Sequence, residues 1–212
     1  MARPREFDEQ AVLDAASDIF WTKGYEATST RDLTARTGLT PSSMYAAFGD
    51  KRRLFRRALD HYLGRLRDKM AHLEATVSPG QAVTGFFEDT IERSLEDPLQ
   101  RGCMLVNSAL EASPQDAEFR SAIAHELTLI EDFFRGRIAA GQECGEISPT
   151  HSANDVAHQL LAVLLGVRVL ARVRPERPLL TGAVGQTLAL LGLPPLAMTT
   201  VARSSQETRT SS

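Results

Sequence analysis

Cysteine is scarce in this 212-residue chain: Cys103 and Cys144 are the only two, and a chain of this length can close a core without crosslinks. A disulfide scaffold is therefore not needed. The cysteines and the five histidines (His61, His72, His125, His151 and His158) show no metal-ligand spacing, so no metal or cofactor is expected. Long apolar runs are missing too. The longest, Leu160 to Val167, is far below the roughly 18 residues of a membrane span. Met1-Ala2-Arg3-Pro4-Arg5-Glu6 has no apolar run behind its charges, so no secretory leader is expected either. These absences point to a soluble cytoplasmic protein with no membrane partner. Catalytic constellations are also lacking. His125-Glu126 opens like a zinc-protease HExxH motif, but Leu129 stands where the second histidine belongs, and no nucleophile elbow, Walker loop or dinucleotide fingerprint occurs. An enzyme is not expected.

Positive charge shows no overall excess: 24 Lys and Arg stand against 27 Asp and Glu, a formal net charge of −3. The distribution is uneven. Residues 1–70 carry 13 basic and 10 acidic side chains, and residues 71–212 carry 11 and 17. The first third can face a polyanion; the remainder cannot.

What the chain does have is helical punctuation, and no strand-like alternation. Asp8 caps a first helix, with Phe7 ahead of it placed to staple onto Val12, and Val12, Leu13, Ala16, Ile19 and Phe20 form one apolar face up to Gly24. Ser29 with Asp32 opens a short helix that stops at Gly38. Only Leu39 separates that stop from Thr40-Pro41, a cap followed by proline at the first helical position. Two short helices therefore meet at a tight angle, a helix-turn-helix. Asp50 caps a long basic helix to about Leu73. Ser78-Pro79 begins the next, which Asp97-Pro98 ends, and Cys103 leads into a short one closed by Ser113-Pro114. Ser113-Pro114 with Asp116 begins the longest, to about Cys144, and Ser152 with Asp155 begins another to about Arg172. After a break over Arg174–Pro178, a last helix reaches Leu191. The fold class is all-α with about nine helices. Three make an N-terminal helix-turn-helix domain over residues 1–52, and the rest make a larger domain over 53–194. Residues 195–212, small and polar, read as a disordered tail.

A helix-turn-helix places the start of its second helix in the major groove. Here that start offers Thr40, Pro41, Ser42, Ser43, Tyr45 and Ala47, short side chains that let the backbone approach and hydroxyls that bond phosphate or base. Thr30, Arg31 and Lys51 flank it as phosphate-reaching groups. From spacing and charge alone, the same helix pair equally suits a helical adaptor that binds only protein. Salt dependence separates the two, because phosphate binding weakens steeply with salt.

The stretch from Asp8 to Phe55 resembles the DNA-binding domain of the TetR family of bacterial transcriptional regulators. The resemblance rests on Ala16 with Ile19-Phe20, Gly24-Tyr25, Thr28-Ser29-Thr30-Arg31-Asp32-Leu33, Gly38-Leu39-Thr40, and Tyr45 followed by Phe48, Lys51 and Leu54-Phe55. It implies DNA contacts at Thr30, Arg31, Thr40, Ser42, Ser43, Tyr45 and Lys51. Ala46 and Ala47 are smaller than the residues many relatives carry there, so readout leans on the hydroxyls or on DNA shape.

The helix from Ser152 is apolar nearly all round, so one face packs on its own domain and another wants a partner. A two-fold homodimer is expected through Leu160, Leu164 and Val167 with Val184, Leu188 and Leu191, helped by Gly166, Gly182 and Gly185. Two heads then meet successive half-sites of a palindromic double-stranded DNA operator. The resemblance implies a repressor released by a small-molecule effector; an activator is the alternative. Phe86, Phe87, Met104, Leu105, Phe119, Ile130, Phe133 and Phe134 are expected to line the effector pocket, with Asn107 and Glu111 as polar anchors. Cys103, beside Arg101 at a helix start, is the alternative switch, a thiol sensing oxidants or electrophiles.

Overall fold

The structure is a computed structural model and describes residues 7–197, so residues 198–212 of the expected tail lie outside the described residues. The described elements are helices α1 (Glu9–Lys23), α2 (Thr30–Thr37), α3 (Pro41–Phe48), α4 (Lys51–Thr76), α5 (Pro79–Glu96), α6 (Met104–Glu111), α7 (Ala117–Glu143), α8 (Ala153–Val173) and α9 (Arg177–Leu190).

The caps explain most boundaries. Asp8 accepts the amides of Gln10 and Ala11; Ser29 and Asp32 form a reciprocal capping box; Thr40, Asp50, Ser78 and Ser152 each accept an amide of the following first turn. Lys23, at 2.6 Å, and then the Ser29 bonds hold the Asp32 carboxyl well below the usual carboxylate range. Three boundaries differ from the expectation. α4 continues to Thr76, because nothing after Leu73 breaks it before Ser78-Pro79. α7 is capped by Asp116, whose carboxylate accepts from Phe119 N at 2.9 Å, and not by Ser113. Pro178 lies in the first turn of α9 rather than in the break, where its missing N–H costs nothing.

The head formed by α1–α3 closes on the first turns of α4. Phe20 meets Phe55 edge-on with centroids 4.9 Å apart, and Ser17 Oγ donates to Ala58 O at 2.8 Å. A boundary at residue 52 therefore cuts through one packed unit, since α4 serves both domains. The aromatic contact continues from Phe55 to Phe119 of α7 at 5.5 Å, so the two cores are continuous.

In the larger domain α5, α7, α8 and α9 pack together. α8 is long and apolar enough by composition to cross a membrane, but Val156, Ala157, Leu160, Leu164, Val167 and Ala171 form a stripe buried in this domain. Pro194, the last residue of the larger domain, and the first residues of the expected tail are packed as well. Thr84 Oγ1 donates to Pro194 O at 2.7 Å, Ala197 N donates to Glu88, and Leu196 rests against the core.

Candidate nucleic-acid interface

Met44 and Phe48 of α3, four residues apart, are buried in the head. At 3.6 residues per turn this aims Ser42, Tyr45 and Ala46 away from the protein, and all three are exposed. Pro41 and Ser43 are exposed beside them. Ala47 is a correction. It flanks Phe48, is half-buried against the core and lines the groove beneath α3, so its methyl faces protein and Ala46 takes the outward place. The period of α3 counted from Phe48 is the signal that would have shown it.

Hydroxyls dominate the outward face. Thr40 Oγ1 lies 3.0 Å from both Ser42 Oγ and Ser43 Oγ while capping Ser43 N. Thr30 Oγ1 lies 2.7 Å from the Tyr45 hydroxyl, which sets α2 against α3 and presents two hydroxyls side by side. Most head cations already have partners: Arg36 with Asp18, Lys23 with Asp32, Arg53 with Asp50. Among the described residues, Arg31 and Lys51 have no carboxylate partner. Arg31 is exposed; Lys51 Nζ lies 4.5 Å from the Tyr25 ring centroid and 3.4 Å from Glu26 O, at the start of α4. Two cations without a carboxylate partner, a hydroxyl row and a helix N-terminus together suit phosphate and base edges.

The head is held to the core at two places. On one side Arg52 reaches Asp116 at 2.5 Å and Arg56 pairs with Glu118, between α4 and the start of α7, and farther along both helices Arg67 pairs with Glu126 at 3.1 Å. Arg52 holds the Asp116 carboxyl below its ordinary value. On the other side α6 and the loop before it grip the head. Glu111 accepts from Tyr25 N at 2.7 Å and Glu26 N at 3.4 Å; Arg101 reaches Asp18 at 2.6 Å and stacks 3.9 Å over Trp21.

Those contacts correct the expected effector pocket. Glu111 is a latch on the head. Asn107 ties α6 in place, donating to Arg101 O at 2.9 Å and accepting from Arg172 at 2.8 Å. Phe86, Phe87, Phe133 and Phe134 interlock with neighbouring centroids 5.2–6.2 Å apart, and Met104, Leu105 and Ile130 are buried. These apolar residues fill the core because they pack on one another, and they line none of three cavities at the head–core seam; the smallest of these, about 40 Å³, is lined by Glu111 and Phe119 with Tyr25 and Arg52. Phe119 also lines a groove of about 840 Å³ between α3, α4 and α7. Cys103 is buried at the start of α6; Cys144 is exposed. Burial, and then the neighbouring Cys103, push the Tyr62 phenol up.

The expected dimer face is corrected as well. Leu160, Leu164, Val167, Val184 and Leu188 are buried within the protomer, and Leu191 is half-buried. A helix apolar on every side gives its own core the first claim. The face left open is Ala162, Gly166, Val169 and Val173 of α8 with Gly182, Ala183 and Leu190 of α9, all exposed. A Cβ added at Gly166 or Gly182 would meet nothing within 4 Å.

Comparison with known proteins agrees with this geometry. The N-terminal family model for bacterial regulatory proteins of the tetR family matches residues 12–58, and a tetracyclin repressor-like C-terminal domain model matches 79–183. An uncharacterised HTH-type transcriptional regulator of Bacillus subtilis, YezE, is 31% identical over 90% of this chain and 100% of its own length. The Escherichia coli HTH-type transcriptional repressor ComR is 30% identical over 89% of this chain and 90% of its own. Among solved structures, a cysteine mutant of the TetR family regulator CifR, complexed with 26-bp double-strand operator DNA, superposes with a TM-score of 0.80. It is 34% identical, over 91% of this chain and 100% of that one. With a helix-turn-helix head, an outward hydroxyl face and relatives matched along nearly their whole length, the chain belongs to the TetR family of bacterial transcriptional regulators.

Proposed function

We propose that this regulator is a cytoplasmic repressor that binds a palindromic operator as a two-fold dimer and lets go when a small molecule binds. The observation that carries the reading is the outward face of α3, where Ser42, Ser43 and Tyr45 are exposed and the Tyr45 hydroxyl meets Thr30 of α2, with Arg31 exposed next to Thr30 and Lys51 at the start of α4. Repression is supported by the relative ComR, named a repressor, and operator binding by the CifR complex. The open face of α8 and α9 supports the dimer: small residues there allow close helix approach, and a second copy would cover Val169, Val173 and Leu190. Two recognition helices must then sit about 34–36 Å apart to reach successive half-sites. Ligand release is supported by the discrete ion pairs and latches between head and core, since a ligand preferring another set of them lowers operator affinity by the ratio of its affinities for the two states.

The test is a band-shift titration against the DNA immediately upstream of the protein's own gene, across a salt series. A discrete complex that survives non-specific competitor supports the reading. No binding at low salt overturns it in favour of a protein-binding adaptor.

A further inference from the structure

We propose that the cavity of about 310 Å³ at the seam between head and core binds a small aromatic carboxylate, with Arg168 as its anion partner and Trp21 and Tyr62 as its ring walls. The proposal rests on the ligand-release reading and says where the ligand sits and what chemistry it has.

The cavity lies among α1, α4, α5, the loop before α6, and α8. Its apolar side is planar and aromatic: the Trp21 and Tyr62 rings meet at a centroid distance of 5.1 Å, with Leu66 beside them. Its charges are mostly satisfied. Arg93 and Lys69 both reach Asp89, at 2.7 and 3.4 Å, and Arg65 reaches Asp14 at 2.6 Å. Asp97 is taken by Arg101, and two lining charges have no ion pair among the described residues, Glu96 and Arg168; the wall still carries five cations against the three carboxylates of Asp89, Glu96 and Asp97. The contact of Arg168 is the neutral Ser94 hydroxyl at 3.3 Å. The Trp21 Nε1–H is shielded from solvent and therefore does not face the open cavity, so the ring, and not this donor, is what Trp21 offers a ligand. A cation without an anion beside aromatic rings favours a planar ligand that carries negative charge. The volume suits one substituted ring.

Occupancy also reaches the head. Arg101 covers the Trp21 face at 3.9 Å and bonds Asp97 and, at 2.6 Å, Asp18 of α1. A ligand ring seeking the Trp21 face competes with the Arg101 guanidinium. Moving Arg101 breaks its bond to Asp18 and loosens one of the two grips of the core on the head.

Trp21 is the single tryptophan of the chain, so its emission reports this wall alone. Benzoate, phenylacetate and 4-hydroxybenzoate are titrated into the full-length protein, with benzamide as the uncharged control. At least one carboxylate is expected to change Trp21 emission saturably, and benzamide to act at least tenfold more weakly. Arg168→Gln, checked for wild-type circular dichroism, is expected to weaken the carboxylate at least tenfold, and Arg168→Lys to recover part of the loss. The proposal is overturned if none of the three carboxylates gives a saturable change, or if Arg168→Gln binds as well as wild type. Band shifts on the same samples separate it from its parent reading. Binding at Trp21 without operator release leaves the site standing and removes the ligand-release reading. Release by a compound that leaves Trp21 emission untouched keeps that reading and overturns this site.

Discussion

Most cations of the head are paired with carboxylates and hold it together, whereas Arg31 and Lys51 have no carboxylate partner among the described residues. Lys51 has no carboxylate to leave behind, so it can turn from the Tyr25 ring to a phosphate. Lys51→Ala should weaken binding to operator and random DNA alike and reduce the magnitude of the log–log salt slope by about 1, read from band shifts at several salt concentrations. Tyr45→Phe removes a neutral hydroxyl and should lower affinity with the slope unchanged. Gly24 shows how a single position joins the domains. Its φ of +84° disfavours a side chain, and a Cβ there would collide with the Glu111 carboxylate. Gly24→Ala should therefore destabilise the protein by about 1–3 kcal/mol in urea unfolding, from backbone strain and the displaced latch together. The motif residues were readable as a set because their spacing is local. Ala47 was misplaced because its neighbour Phe48 decides which way that side of α3 turns.

Among the elements, α6 has the role least visible beforehand. It is eight residues long, and its polar side chains suggested ligand anchors. In the folded protein Asn107 holds the helix to Arg101 O and Arg172, and Glu111 holds two amides of the head. Nothing in local spacing points from residue 111 to residues 25 and 26, because that contact exists only once α1 and α6 are packed. The α4–α7 pairs on the opposite side give a pH signature. Arg52 keeps the Asp116 carboxyl below its ordinary value, so the stabilisation is present above that ordinary value, about 4, and is lost as pH falls through the depressed folded value. Asp116→Asn keeps a cap for Phe119 N but loses the ion pair. The gap in urea midpoint between wild type and this variant should stay constant from pH 7 to 5 and close at more acidic pH. A gap that stays constant down to pH 2 would mean the Arg52 pair contributes nothing.

For the whole molecule, assembly turns on which face of α8 the protomer leaves open. Gly166 is exposed and a side chain there meets nothing in its own chain, whereas Leu164 is buried. Gly166→Glu should give a folded monomer by sedimentation with wild-type circular dichroism and much weaker operator binding. Leu164→Glu should instead unfold the protomer, because a carboxylate buried without a partner costs several kcal/mol. A stable Gly166→Glu dimer would move the interface elsewhere. Ion pairs of α4 with α7 on one side and the grip of α6 on the other join the head to the larger domain through a few discrete polar contacts around a continuous apolar core.

Helix order, the caps, the tight turn before α3 and the surface chemistry of the head were all determined by the sequence itself. Each depends on residues within a few positions of one another: Ser29 with Asp32, Thr40 with Pro41, Gly38 at a φ of +73°. Tertiary structure alone decided the rest. Whether an apolar stripe faces the protomer or its partner, whether Phe86 and Phe134 fill a core or line a pocket, and whether Glu111 meets a ligand or a backbone amide all depend on what another segment brings to the same place. Periodicity shows that a face will be buried; it carries no information about which neighbour buries it, because that choice is made by the packing of elements far apart in the chain.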